Sequence, residues 1–233
     1  NTIVLTGGVN TVTAGDGMNT IDLVDGVNVG ALGSGADIIT ATGGRNVLDV
    51  GEGDNWVSLV AGANTINAGD GENRIGIQAG TNRVVLGDGG NTIDLNDGTN
   101  VLIAGAGADS ITAVSGLNFV DAGGGDNLVH LTAGLNTVVA GDGVNTIDIA
   151  AGDNTVTAGD GGNSIDVLTG KNLVSTGAGD DTVTVQSGAN TIRAGGGADF
   201  IQLSNGANSV AAQSGADTIV AVSGSNRIDA GDD

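Results

Sequence analysis

The sequence predicts an all-β fold, a two-sheet parallel β-solenoid with two nonapeptide units, about 18 residues, per turn and about thirteen turns. Three observations predict it. Counting from Asn1, every ninth residue is Asn or Asp, 26 times without interruption, with Asn in 21 units and Asp in five. Position three of the unit is Ile, Val or Leu in 25 of 26 units, Gly30 being the exception, and position eight is Gly in 25 of 26. Position six alternates: even-numbered units carry Gly (Gly15, Gly33, Gly51, Gly69), broken once by Gln213, whereas odd-numbered units never do. A fixed short period overrides the one-or-two-domain reading that 233 residues would otherwise invite.

The unit is clearest at Asn145 to Asp153 (NTIDIAAGD) and Asn154 to Gly162 (NTVTAGDGG). Its first five positions alternate, so one, three and five point inward and two and four outward, as in a half-buried strand. The last four hold glycine and make a turn. Position five tends to differ between alternate units, mostly large in odd ones (Leu5, Leu23, Leu59) and leaning to Ala in even ones (Ala14, Ala68, Ala104), with Thr176 the one residue that is neither aliphatic nor Ala. A large residue on one sheet therefore faces a small one on the other. An antiparallel meander would show the same two-unit repeat, but it would leave a continuous apolar face uncovered. Coiling buries both rows, and thirteen turns at ~4.8 Å make a rod roughly 60 Å long.

A slower period overlies this one. Residues 19–90 match 91–162 at about 44 of 72 positions, and NTIDLVDG, NTIDLNDG and NSIDVLTG open blocks 19–90, 91–162 and 163–233. The whole chain, 1–233, reads as a single solenoid domain of 26 nonapeptides. It starts without Met and runs mid-pattern at both ends, which predicts either further repeats in a longer protein or end-to-end stacking that covers the open sheet edges.

Composition narrows the function. Twenty-seven acids against six bases give a net charge of −21. That disfavours nucleic acid, which needs basic stripes, and anionic membranes; it permits divalent cations and keeps a rod soluble. No run approaches the ~18 apolar residues of a membrane span, and no signal-peptide pattern opens the chain. With no Cys, disulfides and thiolate metal sites are excluded.

Nothing points to catalysis. His130, the only histidine, falls at an outward position with no nucleophile beside it, and the scattered hydroxyls assemble no triad. Asp22, Asp94, Asp148 and Asp166 offer carboxylate pairs without a cleft. Gly170-Lys171 is followed by Asn172, so no phosphate loop exists. The expectation is a non-enzyme.

Position one carries the structural prediction. Inward carboxylates stacked ~5 Å apart would repel, so an Asp column needs a cation. An amide both donates and accepts, so Asn10, Asn19, Asn64 and Asn73, like Asn136, Asn145, Asn154 and Asn163, are expected to form ladders needing no ion or other cofactor.

The loops Ala140-Gly141-Asp142-Gly143-Val144-Asn145 and Gly195-Gly196-Gly197-Ala198-Asp199 resemble the RTX (hemolysin-type calcium-binding) nonapeptide, G-G-x-G-x-D-x-U-x. The resemblance implies a right-handed parallel β-roll, secreted by bacteria through a type I pathway, with Ca2+ in the turns. The departures are systematic: the first Gly is mostly Ala or larger, the second returns on alternate turns, and the liganding Asp is Asn in 21 units. The five exceptions are Asp37, Asp109, Asp181, Asp199 and Asp217. Asp181, Asp199 and Asp217 occupy consecutive turns and are the candidate Ca2+ site, with backbone carbonyls near Gly195 and Gly197; the isolated Asp37 and Asp109 are weaker candidates. The competing reading makes all five solvated turn aspartates on a wet edge.

Trp56, Leu128 and Phe200 recur at outward positions of odd units, each eight units after the last. They are either ordinary exposed residues or lateral contacts repeating every four turns. The leading expectation is a structural, secreted or surface-attached scaffold, self-associating end to end or laterally, in a bacterial fibre, adhesin stalk or matrix. The alternative is a Ca2+-responsive module that folds after secretion and serves an attached enzyme or adhesin. Outward pairs such as Thr155/Thr157 also raise ice binding, although Arg, Asp, Phe and Val interrupt the rows.

Overall fold

A computed structural model of the chain describes residues 1–232. They form 26 strands, from β1 (Thr2–Leu5) and β2 (Val9–Thr13) to β25 (Thr218–Ala221) and β26 (Ser225–Asp229). The odd-numbered strands build one thirteen-stranded parallel sheet and the even-numbered strands a second. Each strand pairs in register with the strand two further on, as in Ile93↔Ile111 and Asn100↔Asn118. This is the two-sheet solenoid of thirteen turns, and its parallel ladders exclude the meander. Register shifts occur in β6 (Arg45–Gly51), at Asp49/Gly51, and in β14 (Leu117–Gly123), at Asp121/Gly123. The two irregularities lie four turns apart, whereas β22 (Ala189–Arg193), four turns further on, pairs without one.

The core is a thin layer between the sheets. Ile21, Leu23, Ile93 and Leu95 of the odd sheet and Ile66, Ala68, Leu102 and Ala104 of the even sheet are buried in one continuous cluster. Gly30, the gap in the aliphatic row, is filled from the next turn: a Cβ there would lie 2.8 Å from Leu48 Cδ2. Thr176 is buried too, and its hydroxyl donates to the Ala194 carbonyl. The polar exception in the core is thereby satisfied.

Glycine at position eight answers two demands at once. Gly134 has φ +95°, and a Cβ on it would stand 2.6 Å from the Gly116 carbonyl oxygen of the turn below. Both the left-handed conformation and the close stacking exclude a side chain. Gln213, φ +79°, is the one non-glycine in that region among the described residues. It adopts the conformation of Gly195 one turn earlier, at a cost of about 1–2 kcal/mol. No helix among the described residues is long and apolar enough to cross a membrane.

Candidate metal edge and asparagine ladders

Each turn of the coil places two position-one residues inside, one on each sheet. On the even sheet all thirteen are Asn. Twelve Nδ2-to-Oδ1 hydrogen bonds of 2.7–3.0 Å join them without a break, from Asn10→Asn28 to Asn208→Asn226. The second amide hydrogen goes to the carbonyl three residues back, as in Asn118→Ser115 at 3.0 Å. Every buried amide hydrogen thus has a partner, which matters because an unmade bond in a core costs about 1–3 kcal/mol.

The odd-sheet column uses its amides differently. Asn19 Nδ2 reaches the carbonyls of Gly15 (2.9 Å) and Gly17 (2.8 Å) and Asp37 Oδ1 (2.9 Å), while the Asn19 backbone N–H donates to that same oxygen at 2.7 Å. Asn73, Asn145 and Asn163 repeat the pattern. Asp37 accepts from Asn19 but has no amide hydrogen to pass on, so the ladder stops and restarts at Asn55. It stops again at Asp109, fed by Asn91 at 2.9 Å, and at Asp181, fed by Asn163 at 2.9 Å. These three stops recur every four turns. Beyond Asp181 only backbone donors remain: Asp181 N–H to Asp199 Oδ1 (2.8 Å) and Asp199 N–H to Asp217 Oδ1 (2.9 Å).

The other carboxylate oxygen is the informative atom. Oδ2 of Asp37, Asp109, Asp181, Asp199 and Asp217 is buried with no hydrogen-bond partner in all five. The first four residues are no more than 1% exposed, which overturns the reading of them as solvated turn aspartates. Because Oδ1 occupies the same acceptor place as in Asn, Oδ2 takes the place of Nδ2. In the Asn turns that place faces the glycine carbonyls two and four residues back and the next Oδ1, all acceptors. An oxygen facing acceptors calls for a proton or a cation between them.

The carboxyl groups respond to this setting. Burial holds Asp109 and Asp181 above the usual carboxylate range, against the hydrogen bonds from Asn91 and Asn163. Burial pushes Asp199 up to about 6; the Asp181 N–H opposes this, and the Asp181 and Asp217 charges add to it. The sequence singled out Thr176 as a departure but attached no role to it; its hydroxyl donates to the Ala194 carbonyl of the next turn.

The sequence also passed over the outer carboxylates of this edge. Where the following position one is Asn, the turn carries an acid at position seven or nine, as at Asp16, Asp54, Asp88, Asp126 and Asp142. Where it is Asp, positions seven and nine carry none, except Asp180 before Asp181. Every turn of the edge therefore holds a carboxylate. The outer ones accept a backbone N–H from the next turn: Asp16 from Ser34 (2.9 Å), Asp126 from Val144 (2.7 Å), Asp142 from Asp160 (2.9 Å). That bond holds Asp16 below the ordinary carboxylate range. The exchange between inner and outer acids is visible in the sequence once the two-unit coil is drawn.

The remaining candidates fall as follows. The Gly195 carbonyl already accepts the Ser214 N–H at 3.0 Å. Trp56, Leu128 and Phe200 are 53%, 47% and 38% exposed on the odd sheet. Their backbone N–H groups donate to the carbonyls of Asp37, Asp109 and Asp181, each at 2.8 Å, so each lies one turn past a ladder stop. His130 Nδ1 stands 3.9 Å from Asp148 on an open face. Among the described residues no three His, Asp or Glu side chains converge into a metal-holding group.

The parallel coil, the nine-residue glycine-turn unit and the oxygen-lined edge together define a nonapeptide-repeat β-solenoid. The family model of the RTX calcium-binding nonapeptide repeat matches residues 32–66, 51–76, 78–111, 112–147, 121–156, 148–183, 157–192, 175–210, 184–219 and 211–233. The chain belongs to that family. No curated protein and no solved structure matches it. The family implies Ca2+, and the orphaned Oδ2 atoms are the feature of this chain that fits it. An ion there would draw its oxygens from one or two aspartates, backbone carbonyls and water, within the six to eight that Ca2+ takes.

Proposed function

We propose that the chain is a non-catalytic extracellular scaffold: a stiff spacer held by aliphatic layers and asparagine ladders, with calcium confined to the aspartate stops. The unbroken twelve-bond ladder of the even sheet carries this reading, because it satisfies a buried polar column with no ion. Further repeats, or rods stacked end to end, would extend the same ladders. Secretion or surface attachment rests on the family, whose repeats are typical of secreted bacterial proteins.

A second reading is favoured by a separate observation, the five orphaned carboxylate oxygens. In it the module folds only when calcium arrives, with Asp181, Asp199 and Asp217 as the strongest site and Asp37 and Asp109 as lesser ones. Asp181 and Asp199 would supply the carboxylates, and the glycine carbonyls beside them further oxygens.

Circular dichroism and thermal melting in EDTA against millimolar Ca2+ separate the two. The scaffold reading expects full β signal in EDTA and a higher melting temperature with Ca2+. Loss of the β signal in EDTA would replace it with the calcium-folded module.

A further inference from the structure

Twenty-one of the 24 asparagines are the position-one residues of the two columns. The backbone N–H after such a residue is committed to the sheet: Thr92, which follows Asn91, donates to the Asn73 carbonyl at 2.9 Å. Asn67, Asn96 and Asn205 stand outside those columns, and only Asn205 is followed by glycine. With no side chain on Gly206, its backbone nitrogen is unshielded towards the neighbouring amide.

Asn205 is exposed in the turn between β23 (Phe200–Leu203) and β24 (Ala207–Ala211). Its Oδ1 accepts the Gly206 N–H at 2.8 Å, so the backbone nitrogen lies against the side-chain amide. Among the described residues that N–H has no backbone acceptor. Losing it breaks no sheet bond, whereas the same loss at Thr92 would leave the Asn73 carbonyl without its donor. Asp25 and Asp97 occupy the same place in their own turns, and each accepts the following glycine N–H at 2.7 Å. An aspartate at position 205 therefore fits a turn that the rod already makes twice.

We propose that Asn205 is a self-modification site, converted through a cyclic imide to aspartate, and that the stacked turns exclude the isoaspartyl product. Hydroxide takes the Gly206 N–H proton and the nitrogen attacks Cγ of Asn205. The N–Cγ bond forms, the Cγ–Nδ2 bond breaks, and Nδ2 leaves as ammonia with a proton from water. Holding nucleophile and amide in one turn favours this closure. Water then opens the imide, returning a proton to the Gly206 nitrogen and adding its hydroxyl to one of the two carbonyl carbons. Opening at Cγ gives aspartate. Opening at the main-chain carbon gives isoaspartate and lengthens the backbone by one methylene. The stack leaves no place for a longer chain. Gly206 has φ +104°, and even a Cβ on it would stand 2.3 Å from the Gly188 carbonyl oxygen of the preceding turn. Its own carbonyl accepts the Ser225 N–H at 2.8 Å, and the Asn205 carbonyl accepts the Asn208 side-chain amide at 3.1 Å. An isoaspartyl linkage would displace both acceptors.

The test is to hold the whole chain at pH 6 and pH 8, folded and in denaturant, and to follow it by peptide mass spectrometry with isoaspartyl methyltransferase labelling. In the folded rod, conversion at Asn205 should run at least about tenfold faster than at Asn67 or Asn96, a barrier difference of ~1.4 kcal/mol. It should be faster at pH 8 than at pH 6. The folded product should be mostly aspartate, with the isoaspartyl share higher in denaturant. Asn205→Gln, which would have to close a larger ring, should stay intact at that position. Asn205→Asp should melt with the wild type. Conversion no faster at Asn205 than at Asn96, or an isoaspartyl-rich product in the folded rod, would overturn the proposal. A markedly lower melting temperature for Asn205→Asp would do the same, because the turn would then not accept its product.

Discussion

Asn163 donates its side-chain amide to Asp181 Oδ1 at 2.9 Å, and the odd-sheet ladder ends there. Asp181 takes the bond as an Asn would, but its second oxygen has no partner. The same relation holds between Asn19 and Asp37 and between Asn91 and Asp109. Asn supplies a donor where Asp supplies an acceptor, so the four-turn block is punctuated by a single atom. Substituting Asp109→Asn should rejoin the segments ending at Asn91 and beginning at Asn127. Removing a buried, unpartnered oxygen should raise stability in EDTA by about 1–3 kcal/mol, read from the denaturant midpoint. The variant should also lose its share of any calcium-induced gain. A less stable variant in EDTA would mean that the carboxylate is already satisfied.

The even-sheet ladder predicts the opposite sign for the loss of an amide. Asn118 accepts from Asn100 at 2.8 Å and donates to Asn136 at 2.7 Å. Asn118→Ala should cost about 1–3 kcal/mol by leaving buried groups unpaired. In a rod whose turns contact only their neighbours, the loss should be local. Hydrogen exchange should accelerate around β12 (Thr99–Ile103), β14 and β16 (Leu135–Ala140) while the distal turns stay protected. Uniform acceleration along the whole rod would contradict that locality.

The fold was legible because period and pattern are backbone properties: alternation marks the strands, and the glycine alternation at position six reveals the two-unit coil. The existence of a ladder was legible from the donor and acceptor inventory of Asn. Its internal geometry was not. Asn118 sends its spare hydrogen three residues back and Asn73 sends its own two and four back. That difference comes from the shapes of the two turns, which nine-residue spacing leaves unspecified. The burial of Asp37 and Asp109 was equally hidden, since the same Asp-after-glycine pattern suits a wet turn. Leu48 filling the place left by Gly30 depends on contact between turns and has no signature within one unit.

Glycine positions should separate sharply in a substitution test. A Cβ on Gly76 meets nothing within 4 Å, so Gly76→Ala should be nearly silent. Gly134→Ala must place a side chain at φ +95° against the Gly116 carbonyl. Strain of that kind alone costs about 1–3 kcal/mol, and the displaced turn adds to it. Melting curves of the two variants in EDTA would show the contrast. Equal destabilisation would mean that the turns do not stack as described.

Asp199 sets a pH dependence whose sign distinguishes the ion-free rod from the calcium-bound one. Its folded pKa, about 6, lies above the ordinary value, so the folded state holds the proton more tightly than the unfolded chain. Stability from this group is then full below the unfolded pKa of ~3.9 and is lost as pH rises through the folded value. Asp109 and Asp181 are shifted in the same direction. In EDTA the melting temperature should therefore rise from pH 7 to pH 5. Asp199→Asn should flatten that rise, whereas the outward Asp22→Asn should not, which separates the buried group from the general relief of negative charge. With Ca2+ present the slope should reverse, because protons compete with the ion for the same oxygens. A rise in EDTA that survives Asp199→Asn unchanged would show that the buried stack is not its source.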